Sequence, residues 1–317
     1  MPAIDILMAA YNGERFIREQ IDSILNQTFQ DFRLVIRDDG SSDNTPAIIE
    51  EYAEKYPSKI KIIHDDVVCK GATKNFFELL KHAEADYVMF SDQDDFWLPY
   101  KVQITFDYMK NAERENPGKP VMVFTGLQVV DAELKSLDTL MGINFSEKRY
   151  CLKELLACNC ASGCTQMLNR TLYEGIGGYD EDITLHDWWT TLYAAVFGVI
   201  VRVPMALILY RQHGGNAIGS TIMWHYIGIP ARLKQYFKHP FAEASAVNYV
   251  RRAPIQLFRS RFLKSISPEK LREIDDYLDL FSKNIFKRFK SVMKFKDVYF
   301  FNLHKLISLR LLFLGDK

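Results

Sequence analysis

Three carboxylates within four residues, Asp92, Asp94 and Asp95, follow directly on the apolar run Tyr87-Val88-Met89-Phe90. Acids this close repel one another unless a positive charge lies among them. Hard carboxylate oxygens suit magnesium or manganese, and Asp92-Gln93-Asp94 can turn two carboxylates toward one ion that also carries a diphosphate. A solvated acidic turn has the same composition, because acids are ordinarily exposed. The weight therefore falls on the polar segments elsewhere. Asp38-Asp39-Gly40-Ser41-Ser42-Asp43 also follows an apolar run, and so does the turn Tyr11-Asn12-Gly13. His186-Asp187-Trp188-Trp189 puts an acid at the start of an apolar helix, and Arg211-Gln212-His213-Gly214-Gly215 is a loop able to fold over a phosphate.

The elements that must position these residues are legible in the pattern. Residues 4–10, 32–37, 60–63 and 88–91 read as strands, and between them residues 14–27, a segment opening at Pro46 and residues 73–82 read as helices. Such alternation predicts an α/β fold with a mainly parallel sheet, covered on both faces by right-handed crossover helices. Ligands in these sheets bind beyond the carboxyl ends of the strands, which puts the turn at Tyr11, the loop at Asp39 and the acids at Asp92 on one edge. Acids that end two neighbouring strands repel to no purpose unless a ligand joins them. A helix over residues 101–115 and a strand over 121–124 follow, with 126–131 extending that strand or starting a hairpin. Residues 138–161 show no clear period; 162–170 read as a short strand, 185–197 as a helix and 199–210 as a strand. Asp187 falls in the first turn of its helix, where the macrodipole favours the ionised carboxylate.

A chain of 317 residues with 48% hydrophobic and 25% charged residues has the composition of an ordinary soluble protein, long enough for one large domain with an appendage or for two. It holds no run of about eighteen uncharged apolar residues, and Met1-Pro2-Ala3-Ile4-Asp5 lacks the basic start of a signal peptide, which predicts a cytoplasmic protein. Five cysteines argue for reduced thiols, and the spacing of Cys151, Cys158, Cys160 and Cys164 differs from the paired C-x-x-C of zinc sites. The net charge of zero hides an asymmetry: residues 221–317 carry 19 Lys and Arg against 8 Asp and Glu, about +11, leaving 21 against 32 before them, about −11. The pattern of this basic region is helical, over residues 224–239, 249–264, 267–284 and 298–314. We expect one domain over residues 1–220 and a basic helical region over 221–317 that contacts an anionic membrane or another subunit, with residues 298–314 as an interfacial helix.

Taken in order and spacing, Tyr11-Asn12-Gly13-Glu14-Arg15, Arg37-Asp38-Asp39-Gly40-Ser41-Ser42-Asp43, Ser91-Asp92-Gln93-Asp94-Asp95, His186-Asp187-Trp188-Trp189 and Tyr210-Arg211-Gln212-His213 resemble family 2 glycosyltransferases of the GT-A fold. More narrowly, the chain resembles bacterial rhamnosyltransferases that build cell-wall or capsular polysaccharides, over roughly residues 3–220. The resemblance implies a Rossmann-like GT-A sheet and an inverting, metal-dependent transfer. The donor would be a nucleotide sugar, dTDP-L-rhamnose or a UDP-sugar, and the acceptor a saccharide or lipid-linked saccharide, with no role for nucleic acid.

Carried over position by position, the resemblance implies that Asp39 accepts the N3 hydrogen of uracil or thymine and that Ala10, Tyr11, Asn12 and Glu14 pack about the base and ribose. Lys74, where many relatives have arginine, and Gln93 would contact the nucleotide, and Asp92 would meet the ribose or the metal. Asp94 would ligate Mg2+ or Mn2+, His213 would add a ligand or a hydrogen bond to the diphosphate, and Arg211 would add charge there. Asp187 would be the catalytic base, with His186, Trp188 and Trp189 against the sugar or acceptor. The common family pattern at the base is Glu-Asp; His186-Asp187 departs from it in the manner of the rhamnosyltransferase-like subgroup. Two other readings compete. A nucleotidyltransferase would share the acidic site but carry a Gly-rich basic phosphate loop after the first strand, of which residues 9–15 are a poor version. A non-catalytic nucleotide-sugar or glycan-binding module would need no base at Asp187.

Overall fold

The structure, a computed structural model, describes residues 1–142, 150–213, 242–282 and 284–295. The helices expected over 224–239 and 298–314, and the glycines following His213, lie outside the described residues. The chain divides into two compact units: Met1–Ser146, Asn159–Tyr179 and Leu185–His213 in the first, and Glu147–Cys158, Asp180–Thr184 and Gly214–Lys317 in the second. Two short segments from within the first 220 residues thus group with the basic region.

The first unit is built on a nine-stranded sheet. Strands β1 (Ile4–Ala10), β2 (Phe32–Asp38), β3 (Ile60–Ile62) and β4 (Tyr87–Asp92) are joined through helices α1 (Ile17–Leu25), α2 (Thr45–Lys55) and α3 (Ala72–Leu80). All their mutual pairings are parallel, in the order β3-β2-β1-β4. Nearly every residue of β1 is buried, as expected of a strand covered on both faces. Ile4, Ile6 and Met8 share one core with Ile17, Ile21 and Ile24 of α1. Burying each such side chain contributes about 1.5–3 kcal/mol. Helix α1 begins later than its apolar stripe suggests. The Gly13 and Glu14 amides donate out of the chain's path, to Thr45 Oγ1 (2.7 Å) and Asp43 Oδ2 (3.1 Å), so the first turn is given over to bonding the next loop.

The second half of the sheet is mixed. Its elements are β5 (Phe96–Trp97), α4 (Lys101–Glu115), β6 (Val121–Val130), β7 (Ser136–Met141), β8 (Gln166–Asn169), α6 (Arg170–Gly175), α7 (His186–Phe197) and β9 (Val199–Arg211), while α5 (Leu152–Ala157) belongs to the second unit. Strand β8 runs antiparallel to both β4 and β6, β6 runs parallel to β9, and β7 forms a hairpin with β6. The mainly parallel arrangement read from the sequence holds for β1 to β4 and again for β6 and β9, and the antiparallel β8 is inserted between the two groups. A strand of four residues carries no direction in its pattern.

The second unit also contains α8 (Ala242–Phe262), α9 (Pro268–Leu278) and α10 (Ile285–Lys294). Arg259 joins α8 to α9 through Asp275 (2.5 Å), and Tyr277 lies against Phe281 and Phe295. The helix expected to run from 267 to 284 stops at Leu278, and Asn284 starts a new one by accepting from the amides of Phe286 and Lys287. No described helix is long and apolar enough to cross a membrane.

Candidate active site

In the parallel register Ala10 pairs with Asp38, and Ala9 with Asp92, so three polar segments leave one edge side by side. Their loops are bonded to one another. Asn12, in the left-handed region at φ 47°, donates its amide to Ser41 Oγ (2.8 Å) and accepts from the Ser42 amide through Oδ1 (2.8 Å). Glu14 accepts from the Asn44 amide (2.9 Å), and Gln93 exchanges two hydrogen bonds with the backbone of Tyr11 (2.9 and 2.7 Å). A Cβ on Gly13 would lie 2.2 Å from Gln93 Oε1, which is why glycine stands there. Asn12, Glu14 and Gln93 thus act here as braces between loops, where the sequence pointed to nucleotide contacts. The Tyr11 side chain, 56% exposed, extends from this braced turn.

Asp39 sits at the end of β2 and accepts from the Cys69 amide (2.7 Å). Behind it lies the buried guanidinium of Arg37, bonded to Asp65 through two nitrogens (2.9 and 2.6 Å), to Asn75 Oδ1 (2.9 Å) and to the Val67 carbonyl. Arg37 holds the Asp65 carboxyl below the usual range and fixes the segment leading into α3. In the first turn of α3, the Lys74 ammonium reaches the Val68 carbonyl (3.3 Å).

Helix α1 and the residues just past its end present polar positions to the acidic loop: Gln20 donates to Ser91 Oγ (2.8 Å), Ser23 Oγ accepts from the Trp97 amide (3.1 Å), and Gln27 donates to the Leu98 carbonyl (2.9 Å). Asp94 Oδ2 lies 2.8 Å from His213 Nε2, each side chain about one-sixth exposed at 15% and 17%. This is a hydrogen bond; adjacent ligands on one octahedral ion with bonds near 2.1 Å also stand about 3 Å apart, so the pair has the spacing to take a divalent cation in place of the shared proton. Arg211 does not reach this opening. It is buried, with its donors on Glu19 Oε2 (2.6 Å), the Asp94 carbonyl (2.9 Å) and the Ala132 carbonyl. It holds the Asp94 loop from behind, which corrects the expectation of a charge on the diphosphate: a fully enclosed guanidinium with these partners is a structural clamp.

Behind the loop is a second group of titratable side chains. Asp92, Asp95 and Cys164 bring their ligand atoms within 4.8 Å of one another. Burial, reinforced by the neighbouring Asp94 and Asp187 carboxylates, pushes Asp92 up to about 7. Burial also raises Asp95 and the Cys164 thiol. Lys101 Nζ lies 3.5 Å from the centre of the Trp97 ring without a hydrogen-bond partner, and burial lowers its pKa to about 7, against the attraction of Cys164 and Asp95. With a lysine already facing it and a thiol as one donor, this inner group fits a hard cation poorly. Lys101 escaped the sequence reading; a lysine at the start of a helix looks like a surface residue, and only its burial marks it.

Asp187 is buried in the first turn of α7. Its Oδ2 accepts from the Gly163 amide (3.1 Å), and its Oδ1 has no hydrogen-bond partner. Burial pushes its pKa up to about 6, opposed by the amides of Trp188 and Gly163 and by the Asn159 side chain. The helix terminus therefore softens a shift that burial dominates, where the sequence pointed to the terminus alone. Gln166 braces the turn by donating to the Asp187 carbonyl (3.0 Å), and Thr190 and Thr191 donate to the same carbonyl (2.9 and 2.7 Å). His186 packs its ring on Phe76 (4.2 Å) and Phe90 (5.0 Å); burial lowers its pKa to about 3 and keeps it neutral, with Nε2 unpartnered. A Cβ on Gly163 would lie 2.4 Å from that nitrogen, so the small-residue turn is a requirement of this close approach. Trp188 and Trp189 are both buried, and Trp189 donates to the Ile176 carbonyl (3.0 Å). Both indoles are core residues, which corrects their expected contact with sugar or acceptor: too little of either ring is open to meet one.

Comparison with known proteins supplies relatives. The family model described as Glycosyl transferase family 2 matches residues 5–174. The chain is 32% identical over 230 residues to the dTDP-rhamnosyl transferase RfbG of Shigella flexneri, covering 68% of this chain and 74% of that one. Among solved structures, residues 1–349 of TarS from S. aureus in complex with UDP-GlcNAc superpose with a TM-score of 0.55 at 17% identity, covering 98% of this chain and 89% of that one. The mannosyltransferase PcManGT from Pyrobaculum calidifontis, in complex with GDP-Man and Mn2+, gives a TM-score of 0.55 at 16% identity, covering 98% and 81%. At such identities the two structures establish the likeness of fold.

Proposed function

This chain belongs to glycosyl transferase family 2, and on that premise we propose that it transfers L-rhamnose, with inversion, from dTDP-L-rhamnose to a saccharide or lipid-linked saccharide in bacterial surface polysaccharide synthesis. Residues 1–220 carry the reaction, in the cytoplasm at the inner face of the membrane; residues 221–317 contact the membrane or a second subunit. The observation that carries the reading is Asp187: a buried carboxylate with one oxygen fixed by Gly163, the other without a hydrogen-bond partner, and its charge felt by Asp92.

The residues divide the work. Tyr11 and Asp39 take the base, Asp39 as acceptor for the N3 hydrogen that thymine and uracil share. Asp92 meets the ribose, and Lys74 the nucleotide. Asp94 and His213 would hold Mg2+ or Mn2+, whose charge offsets that developing on the departing diphosphate. The acceptor hydroxyl gives its proton to the Asp187 carboxylate as its oxygen bonds to C1 from the face opposite the diphosphate, and the C1–O bond to the nucleotide breaks with its electron pair. Burial around Asp187 and His186 keeps water from taking the acceptor's place. A pKa of about 6 leaves the base mostly ionised at neutral pH yet still basic enough to accept a proton.

A UDP-sugar donor is the second reading, favoured by the UDP-GlcNAc bound to TarS and by the N3 hydrogen common to both bases. A panel of nucleotide sugars, with and without magnesium or manganese, assayed for nucleoside diphosphate release and for thermal protection, separates the readings. Release from dTDP-rhamnose only with metal and acceptor present supports the proposal. Protection without turnover for any donor and acceptor would make the chain a binding module.

A further inference from the structure

We infer that α10 is an interfacial helix that lays Ile285, Phe286, Phe289 and Met293 on an anionic lipid surface. These four side chains are 52%, 83%, 58% and 50% exposed. At about 100° per residue they share one arc of roughly 100° on the helix. Two polar residues are turned inward, Arg288 and Ser291, with Ser291 Oγ donating to the Asp276 carbonyl, and Phe295 just past the helix end is buried against Tyr277. A surface helix ordinarily buries its apolar stripe. This one buries Arg288 and Ser291 and leaves three large apolar side chains and a methionine facing out.

The charges beside the stripe name the partner. Lys290, Lys294 and Lys287 follow the apolar arc along one edge, within roughly the next 40° to 100° of the wheel, and all three are exposed. Lys294 pairs with Asp276 (2.5 Å) and Lys287 lies 3.8 Å from Asp279, so both are held near the surface of the unit beside the stripe. An apolar arc with lysines along its border matches the boundary between acyl chains and anionic headgroups. The excess of 19 basic over 8 acidic residues in 221–317 has the same sign. A second copy of the chain is a poorer complement, because an isologous contact would set this basic face against itself. The inference rests on the proposed function only for its purpose, since a lipid-linked acceptor would be met at such a surface; its evidence is the helix.

Flotation of the full chain with vesicles tests it, without donor or acceptor, so the outcome is independent of the sugar transferred. The parent should bind vesicles of phosphatidylcholine with about one-third phosphatidylglycerol, and bind phosphatidylcholine alone far less. The pair Phe286→Asp and Phe289→Asp should lower the bound fraction about fivefold or more, with a melting temperature within about 2 °C of the parent, as for exposed side chains. The pair Lys287→Glu and Lys290→Glu should lower binding to the anionic vesicles alone. Undiminished binding by the Phe pair would overturn the inference, placing the contact on another surface such as residues 298–314. So would a parent that ignores both vesicles, or one whose Phe pair changes only its oligomeric mass.

Discussion

Two regions of the same sheet edge treat their polar groups in opposite ways. Around the ends of β1 and β2, side chains and amides answer one another: Asn12 with Ser41 and Ser42, Glu14 with Asn44, Gln93 with Tyr11, Arg37 with Asp65 and Asn75. Around β4, β8 and the start of α7, Asp92, Asp95, Cys164, Lys101, His186 and Asp187 crowd together with their ionisation displaced by burial. Asp187 Oδ1, His186 Nε2 and Lys101 Nζ have no hydrogen-bond partner there. The first region is preorganised to hold a ligand in one place. The second keeps titratable groups away from their ordinary ionisation, at a cost in stability, which is what proton transfer near neutral pH requires.

Substitutions should separate the two regions. The largest effect is expected at Asp187: Asp187→Asn keeps shape and removes the proton acceptor, so transfer should fall by about two to four orders of magnitude with donor affinity unchanged. Loss of donor binding instead would move Asp187 into the first region. Next, Asp94→Asn should weaken metal-dependent nucleotide binding by about a hundredfold, read by calorimetry with and without chelator; full parental activity in chelator would remove the metal role. Gly13→Ala should displace Gln93 and release the Tyr11 backbone, weakening donor binding by about 1–3 kcal/mol, the worth of two hydrogen bonds. The smallest change is a gain. Lys101→Met should raise the melting temperature by a few degrees at neutral pH, because it removes a buried amine that has no hydrogen-bond partner. Since the folded pKa of Lys101, about 7, lies below its ordinary 10.5, the parent should gain stability as pH rises between those values, and the variant should lose that dependence.

The first region was legible in the sequence because its parts are contiguous. Apolar runs ending in polar loops define β1, β2 and β4, and parallel order brings their ends together. What each side chain does there was less legible: Asn12, Glu14 and Gln93 bond to loops that only the folded edge makes neighbours. The second region is assembled from separated segments. Lys101 begins α4, Cys164 lies in the short turn before β8, and Gln166 opens β8, whose antiparallel course no short pattern dictates. The position of Asp187 could be read from its motif, but its raised pKa could not, since that depends on burial. Helix α10 falls between the helices expected over 267–284 and 298–314, and the outward turn of its apolar positions is a property of the packing.

The central claim is that Asp187, its pKa raised by burial, takes the acceptor's proton. The direct measurement is the pH dependence of kcat/KM for the parent and Asp187→Asn with the same donor and acceptor. The parent should lose activity as pH falls through about 6, where the carboxylate becomes protonated, and the variant's residual rate should lack that limb. A variant that keeps the same limb, or a parent whose rate stays level through that range, would contradict the account.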